Sequence, residues 1–264
     1  MRKDAFSAYL LAQGFYIMVH LFVILIFYLY PNDIANSCTE NDISCLYFPT
    51  LKISASILYF FTRRKPGFLS RSKILQEIEL SSEEDWEIPK QGYCDVCNII
   101  QPYRSRHCKK CEECVAKFDH HCFWIGSCIG ELNHFRFCLY LALESAAIDW
   151  AAYNCLSGLS EDQEAYGAFI VALIISGLFG ILTTGLCIFH IYLVSSGYTT
   201  WEFVKRDSIN YFKIYPSSFH PFDLGVIQNW KAAIFDKEIR QWTLPRPMPV
   251  YPFNWCDNEY WSCC

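Results

Sequence analysis

The sequence predicts an α-helical polytopic membrane protein: four transmembrane helices, with one cytosolic cysteine-rich domain between helices 2 and 3. Three observations predict it. The 264 residues are 53% hydrophobic and 19% charged, and the apolar residues are clumped in long runs. The basic residues are distributed to one side of those runs. Seven of the 15 cysteines crowd between Cys94 and Cys128. Such a composition excludes a disordered chain, which needs low hydrophobicity and high charge. A net charge of −5 offers nucleic acid no basic surface, so no nucleic-acid partner is expected.

A helix crosses the hydrocarbon core, about 30 Å thick, with about 20 mainly apolar residues. Ala8 to Tyr30 and Ala168 to Ser195 meet this requirement outright. The first is too long for a signal-peptide core and lacks a small-residue cleavage site. In the second, Gly177, Gly180 and Gly185 are candidate points of close helix packing. Two runs are weaker: Ile43 to Thr62 carries Pro49 and Lys52, and Phe135 to Leu159 carries Glu144 and Asp149. The alternative for both is an amphipathic helix on a membrane or in a soluble core.

Loop charge favours spanning. Loops 31–42 and 160–167 hold no Lys or Arg, only Asp33, Glu40, Asp42, Glu161, Asp162 and Glu164. Of the 22 basic residues, two lie in the N-terminal stub, 12 in 63–136 and seven in 196–264, leaving Lys52 alone inside a span. Four spans with both termini cytosolic satisfy the positive-inside rule. The chain then divides into 1–62 (stub and helices 1–2), 63–134 (cytosolic zinc-binding domain), 135–195 (helices 3–4) and 196–264 (cytosolic C-terminal segment). Lys52, Glu144 and Asp149 fall at similar depth at 1.5 Å per residue. An intramembrane charge seeks a partner inside the bundle, so Lys52 is expected to pair with Glu144 or Asp149.

The insert reads C-x2-C-x9-H-C-x2-C-x2-C-x4-D-H-H-C-x5-C from Cys94 to Cys128. Cytosolic thiols stay reduced, and thiolates and imidazoles at such spacings are zinc ligands, four to each structural ion. Seven cysteines with His107, His120 and His121 make ten candidates. Two closed sites use eight, and two are left over. Cys94/Cys97 and Cys108/Cys111 are knuckles that can each give two ligands to one ion. Within Asp119-His120-His121-Cys122, adjacent side chains point in different directions, so one His can face metal while the next faces the surface. A thiol two residues after His120 could be activated by that imidazole, with Asp119 holding its tautomer. The alternative is that all ten are structural, as in a RING or zinc-ribbon adaptor. The adjacent His107-Cys108 pair and the final C-x5-C do not fit a RING cross-brace.

The insert and four-span layout resemble the DHHC protein S-acyltransferases (palmitoyltransferases). Thr199-Thr200-Trp201-Glu202 is similar to that family's TTxE motif, and Phe222 to Phe235 to its C-terminal Asn-containing motif. The resemblance implies one zinc on Cys94, Cys97, His107 and Cys114, and a second on Cys108, Cys111, His121 and Cys128. Both would be structural Zn2+. It implies Cys122 as nucleophile, His120 as base and Asp119 as its orienting partner, with palmitoyl-CoA (a fatty acyl-CoA) as co-substrate. Acyl groups would pass through a Cys122 thioester to cysteines of membrane-associated substrate proteins. A catalytically idle zinc-binding scaffold or adaptor is the alternative.

The resemblance further implies positioning roles for Thr200 and Glu202, an anchoring role for Asn229, and an endoplasmic reticulum or Golgi membrane as the location. Arg104, Arg106, Lys109, Lys110 and Lys117 are candidates for CoA phosphates or anionic lipid, against a default of solvated loop charge. Cys138, Cys263 and Cys264 are candidates for acylation themselves. The chain departs from the family pattern at Phe123 (usually Pro), Ser127 (usually Asn), Lys65 before Pro66-Gly67 (usually Asp) and Asp236 (commonly Gly). None of these removes a candidate ligand or the Asp-His-Cys set.

Overall fold

The structure, a computed structural model, describes residues 3–30, 32–40, 42–69, 90–161, 164–217, 219–235, 239, 257–258 and 261–262. Asp236, Cys263 and Cys264 lie outside them. Four long helical stretches coincide with the four apolar runs. They are α1 (Lys3–Leu29), a 3-10 turn (Ile43–Leu46) running into α3 (Tyr47–Thr62), α4 (His134–Glu161) and α5 (Tyr166–Ser195). A short α2 (Asp33–Thr39) follows α1, and α6 (Thr200–Lys205) and α7 (Val226–Phe235) follow α5.

Among the described residues, α5 alone is by itself long and apolar enough to cross a membrane, with a window of mean hydropathy 2.3. Gln13–Leu29 and Asp33–Thr39 pass together, but with a 53° bend between them. Asn32 makes that bend. Its amide donates to the carbonyls of Phe27 and Tyr30, while its side-chain oxygen accepts the N–H groups of Ile34 and Ala35 and caps α2.

The helices bury two apolar clusters. One joins Val23, Phe27, Phe48, Ala151, Cys155 and Phe169. The other, at the cytosolic end in the proposed topology, joins Tyr59, Cys122, Ile125, Phe137, Tyr140 and Cys187. On the outer face of α5, Leu178, Ile181 and Ile188 are 67%, 78% and 64% exposed. So continuous an apolar surface is out of place in water.

Of the three glycines expected to mark close packing, only Gly180 does so. A Cβ there would lie 2.9 Å from Asp149 Oδ1, whereas Gly177 and Gly185 face open space. Period-3.6 geometry turns these three to different sides of one helix, and only one side meets α4. Lys52 pairs with Glu144 at 2.7 Å. Asp149 instead accepts the Thr184 hydroxyl at 3.3 Å.

The insert is three antiparallel hairpins: β1–β2 (Lys90–Cys94, Ile99–Pro102), β3–β4 (Arg106–Cys108, Glu113–Val115) and β5–β6 (His120–Cys122, Ser127–Ile129). Asn133 fastens it to the bundle. Its buried amide donates to the carbonyls of Thr62 and Cys128, and its oxygen accepts the Gly130 N–H. One side chain thereby satisfies the end of α3 and the exit of β6.

Candidate metal centres and active site

The hairpin registers decide which side chains converge. His107 stands opposite Cys114 in β3–β4, and His121 opposite Cys128 in β5–β6. Residues directly opposed in an antiparallel pair share a face, so each hairpin presents one imidazole and one thiol together. The knuckles supply the rest. The Cys97 N–H points to Cys94 Sγ and the Cys111 N–H to Cys108 Sγ, both at 3.5 Å. Asn98 and Glu112, next after each knuckle, have φ of 51° and 60°. This left-handed step reverses the chain tightly enough for both thiols to reach one point.

Two quartets result: Cys94, Cys97, His107 and Cys114, and Cys108, Cys111, His121 and Cys128, each with its ligand atoms within 4.8 Å of one another. Cys97 and Cys114 Sγ lie 3.3 and 3.9 Å from His107 Nδ1. Cys108, Cys111 and Cys128 Sγ lie 3.5, 3.4 and 3.6 Å from His121 Nδ1. Tetrahedral zinc with ordinary bond lengths sets sulfur and nitrogen ligands about 3.6 Å apart. The donor sets fit zinc in both chemistry and spacing.

Strand alternation separates the next pair. Since side chains on β5 alternate between faces, His121 turns to the second quartet while His120 and Cys122 share the opposite face. His120 Nδ1 lies 2.6 Å from Asp119 Oδ2, and His120 and Cys122 line one cavity between the helices. Burial pushes the His120 imidazole down, but Asp119 and Cys122 outweigh it and raise the group to about 10. Burial pushes the Asp119 carboxyl up, and the imidazoles of His134 and His120 more than reverse this, holding it well below the usual carboxylate range.

Asp119 is fully buried and is held by a segment 81 residues farther along the chain. Thr200 donates its backbone N–H to Oδ1 and its hydroxyl to Oδ2, both at 2.8 Å. Thr199 and Glu202 close a capping box at the start of α6. Glu202 also accepts Arg104 Nε at 2.7 Å, Arg104 Nη2 at 2.5 Å and the Tyr211 hydroxyl at 3.1 Å. Farther along, Asn229 donates to the carbonyl of Ser195 and to Asp223, which ties α7 to the end of α5.

Cys122 opens onto a cavity of about 290 Å³ between the helices. It runs from Cys122, Phe137 and His190 at one end to Val23, Ala147 and Ala151 at the other. Phe123 and Trp124 line it while staying 44% and 40% exposed, and Ile125 is wholly buried beneath them.

Comparison with known proteins decides the family. Residues 87–207 match the model of the DHHC palmitoyltransferase family. Human palmitoyltransferase ZDHHC12 is 33% identical over 70% of this chain and 72% of its own length. The chain belongs to the DHHC palmitoyltransferase family. Protein S-acyltransferase 10 of Arabidopsis thaliana is 36% identical over 52% of this chain and 41% of its own, and rat palmitoyltransferase ZDHHC4 31% over 55% and 41%. This DHHC protein is a protein S-palmitoyltransferase.

Several contacts in the DHHC site were not legible in sequence. Arg104, expected among solvated loop charges, is buried against Glu202 and stacks on Phe222 at 4.6 Å. Arg106 lies 3.4 Å over the Trp201 ring. Of the five basic candidates, Lys109 and Lys110 remain exposed. His134 and His190, which no motif reading singled out, meet at 3.0 Å, with His134 Nε2 3.8 Å from Asp119 Oδ1. Their signal was faint: two histidines near the ends of apolar runs. Cys138 is buried beside them, which removes it as an accessible acylation site.

Proposed function

We propose that Cys122 is the nucleophile of a two-step acyl transfer and His120 its general base, with Asp119 and Thr200 fixing the imidazole. The observation that carries this reading is His120, hydrogen-bonded to Asp119 and set on the same face of β5 as Cys122, at the mouth of an apolar cavity. An environment that lifts His120 favours moving the Cys122 proton onto the ring. The sulfur then attacks the carbonyl carbon of a fatty acyl-CoA. A carbon–sulfur bond to the enzyme forms, the bond to CoA breaks, and His120 returns its proton to the CoA sulfur. In the second step the substrate protein's cysteine gives its proton to His120 and takes the acyl group. Cys122 leaves as the thiol. A thioester replaces a thioester each time, so no other energy source is needed.

The four long helices are read as four spans with both termini in the cytosol, supported by the one-sided basic residues. Each methylene moved out of water is worth about 0.8 kcal/mol, so the acyl tail belongs in the helix cavity while the CoA head stays wet. Substrate cysteines close to the membrane, in the endoplasmic reticulum or Golgi, suit a nucleophile at that boundary. Two zinc ions on the two quartets would cross-link the hairpins and hold β5 rigid; with four protein ligands each, they leave no open coordination position.

The test is incubation of the purified protein with labelled palmitoyl-CoA. Hydroxylamine-sensitive label on the wild type, absent from Cys122→Ser with zinc near two per chain in both, is the expected result. Label that persists in Cys122→Ser overturns the assignment. Zinc-loaded wild type that takes no label would instead make the chain an idle scaffold.

A further inference from the structure

The cavity wall carries a group of charges that acyl transfer does not use. Glu144 Oε1 accepts Lys52 Nζ at 2.7 Å and faces His20 Nε2 at 2.8 Å, and Oε2 accepts the Tyr16 hydroxyl at 3.2 Å. All four residues line the cavity. Three groups, the Lys52 ammonium, the His20 ring and the Tyr16 hydroxyl, thus draw on one carboxylate.

That ammonium is 7% exposed. It has three N–H donors, and among the described residues Glu144 is the one acceptor it meets. A desolvated ammonium with unused donors is costly, and an oxygen acceptor in the cavity would relieve it. Depth says which part of a ligand could supply that oxygen. Glu144 lies one turn beyond Tyr140 and two beyond Phe137, which pack with Cys122, or about 6–10 Å along α4. The cavity continues past it to Ala147 and Ala151. A chain attached at Cys122 would thus pass Lys52 part-way along, with apolar wall on both sides.

We propose that Lys52 is a specificity-determining residue that recognises an oxygen function borne part-way along the acyl chain, so that the enzyme accepts hydroxylated fatty acyl groups beside plain saturated ones. The inference rests on the acyl-transfer reading above. Lys52→Met keeps the length of the side chain and leaves Glu144 its contacts to His20 and Tyr16. Lys52→Met with Glu144→Gln is a second variant that also keeps partners for His20 and Tyr16.

The experiment is competition between palmitoyl-CoA and 16-carbon acyl-CoAs hydroxylated at successive mid-chain carbons, with the acyl-enzyme read by mass spectrometry. The expected result is a hydroxylated-to-plain ratio highest at one chain position and roughly tenfold lower in Lys52→Met, the loss of one hydrogen bond to a charged donor. Equilibrium binding of the same CoA esters to Cys122→Ser, with and without Lys52→Met, reads that ratio without the chemistry. A ratio unchanged in both variants overturns the proposal and leaves water as the partner of Lys52. If no acyl-CoA labels Cys122 while the binding ratio still shifts, the transfer reading fails and the recognition site stands.

Discussion

Thr200 grips Asp119 with two hydrogen bonds of 2.8 Å, one from its backbone and one from its hydroxyl, across 81 residues of sequence. The segment after the last long helix therefore supports the residue that orients His120. Thr200→Val keeps the shape and the backbone bond but loses the hydroxyl bond to a charged acceptor. Acyl-enzyme formation in single-turnover measurements should fall about tenfold, with zinc content unchanged and Thr200→Ser largely restored. Equal rates in Thr200→Val and wild type would remove Asp119 orientation from the mechanism.

Face alternation on β5 sets His121 and Cys122 to different tasks, so neighbouring substitutions should fail differently. His121→Ala or Cys128→Ala should release zinc and unfold the insert, seen as lost metal and a lowered melting temperature. Cys122→Ser should keep both. Chelation of the wild type should reproduce the ligand-variant behaviour rather than that of Cys122→Ser.

The Arg104–Glu202 pair is buried on both sides, at 0% and 1% side-chain exposure. Arg104→Met leaves a buried carboxylate unpaired and should cost about 3–5 kcal/mol. Replacing both partners with apolar residues of similar volume should recover much of that. A denaturant titration of the purified domain in detergent would check it; additive losses would mean that the two do not interact.

The same pair predicts an acid response. Burial pushes the Glu202 carboxyl up, but Arg104 outweighs it and holds the group below the usual carboxylate range. A carboxyl depressed on folding lends its stability at pH above its ordinary value and loses it as pH falls toward the folded value. Stability of the wild type should therefore drop as pH falls below about 4.3. Glu202→Gln should start lower and show a shallower acid slope. Parallel slopes would count against Glu202 as the group responsible.

Gly130 is required by close approach. A Cβ there would sit 2.5 Å from Val115 Cγ1, 2.6 Å from the Pro66 carbonyl and 2.9 Å from the Ala116 carbonyl. Two of those neighbours are backbone, so Gly130→Ala should destabilise the junction by about 1–3 kcal/mol, read as a fall in melting temperature. The Pro66-Gly67 turn forms half of this junction, since the Ala116 N–H bonds the Gly67 carbonyl at 2.9 Å. Lys65 enters it with φ of 52°, where Asp, a residue that tolerates the left-handed region better, is the one expected from the family pattern.

By itself the sequence determined the four apolar runs, the cysteine-rich insert and the family, because each is written in composition and short spacing. It also offered His120, two residues before Cys122, as the base for that thiol, while the strand that turns both to one face is seen only in the fold. Only the tertiary structure decided that Lys52 takes Glu144 over Asp149, that Arg104 leaves the loop surface for Glu202, and that Thr200, His134 and His190 gather around Asp119. The Lys52–Glu144, Arg104–Glu202, His134–His190 and Thr200–Asp119 contacts join residues 56 to 98 positions apart. They depend on how each helix is rotated about its axis and where its end lands. Hydrophobic runs that are apolar all round carry no preferred face, so they cannot specify that rotation; packing and the few buried polar groups do.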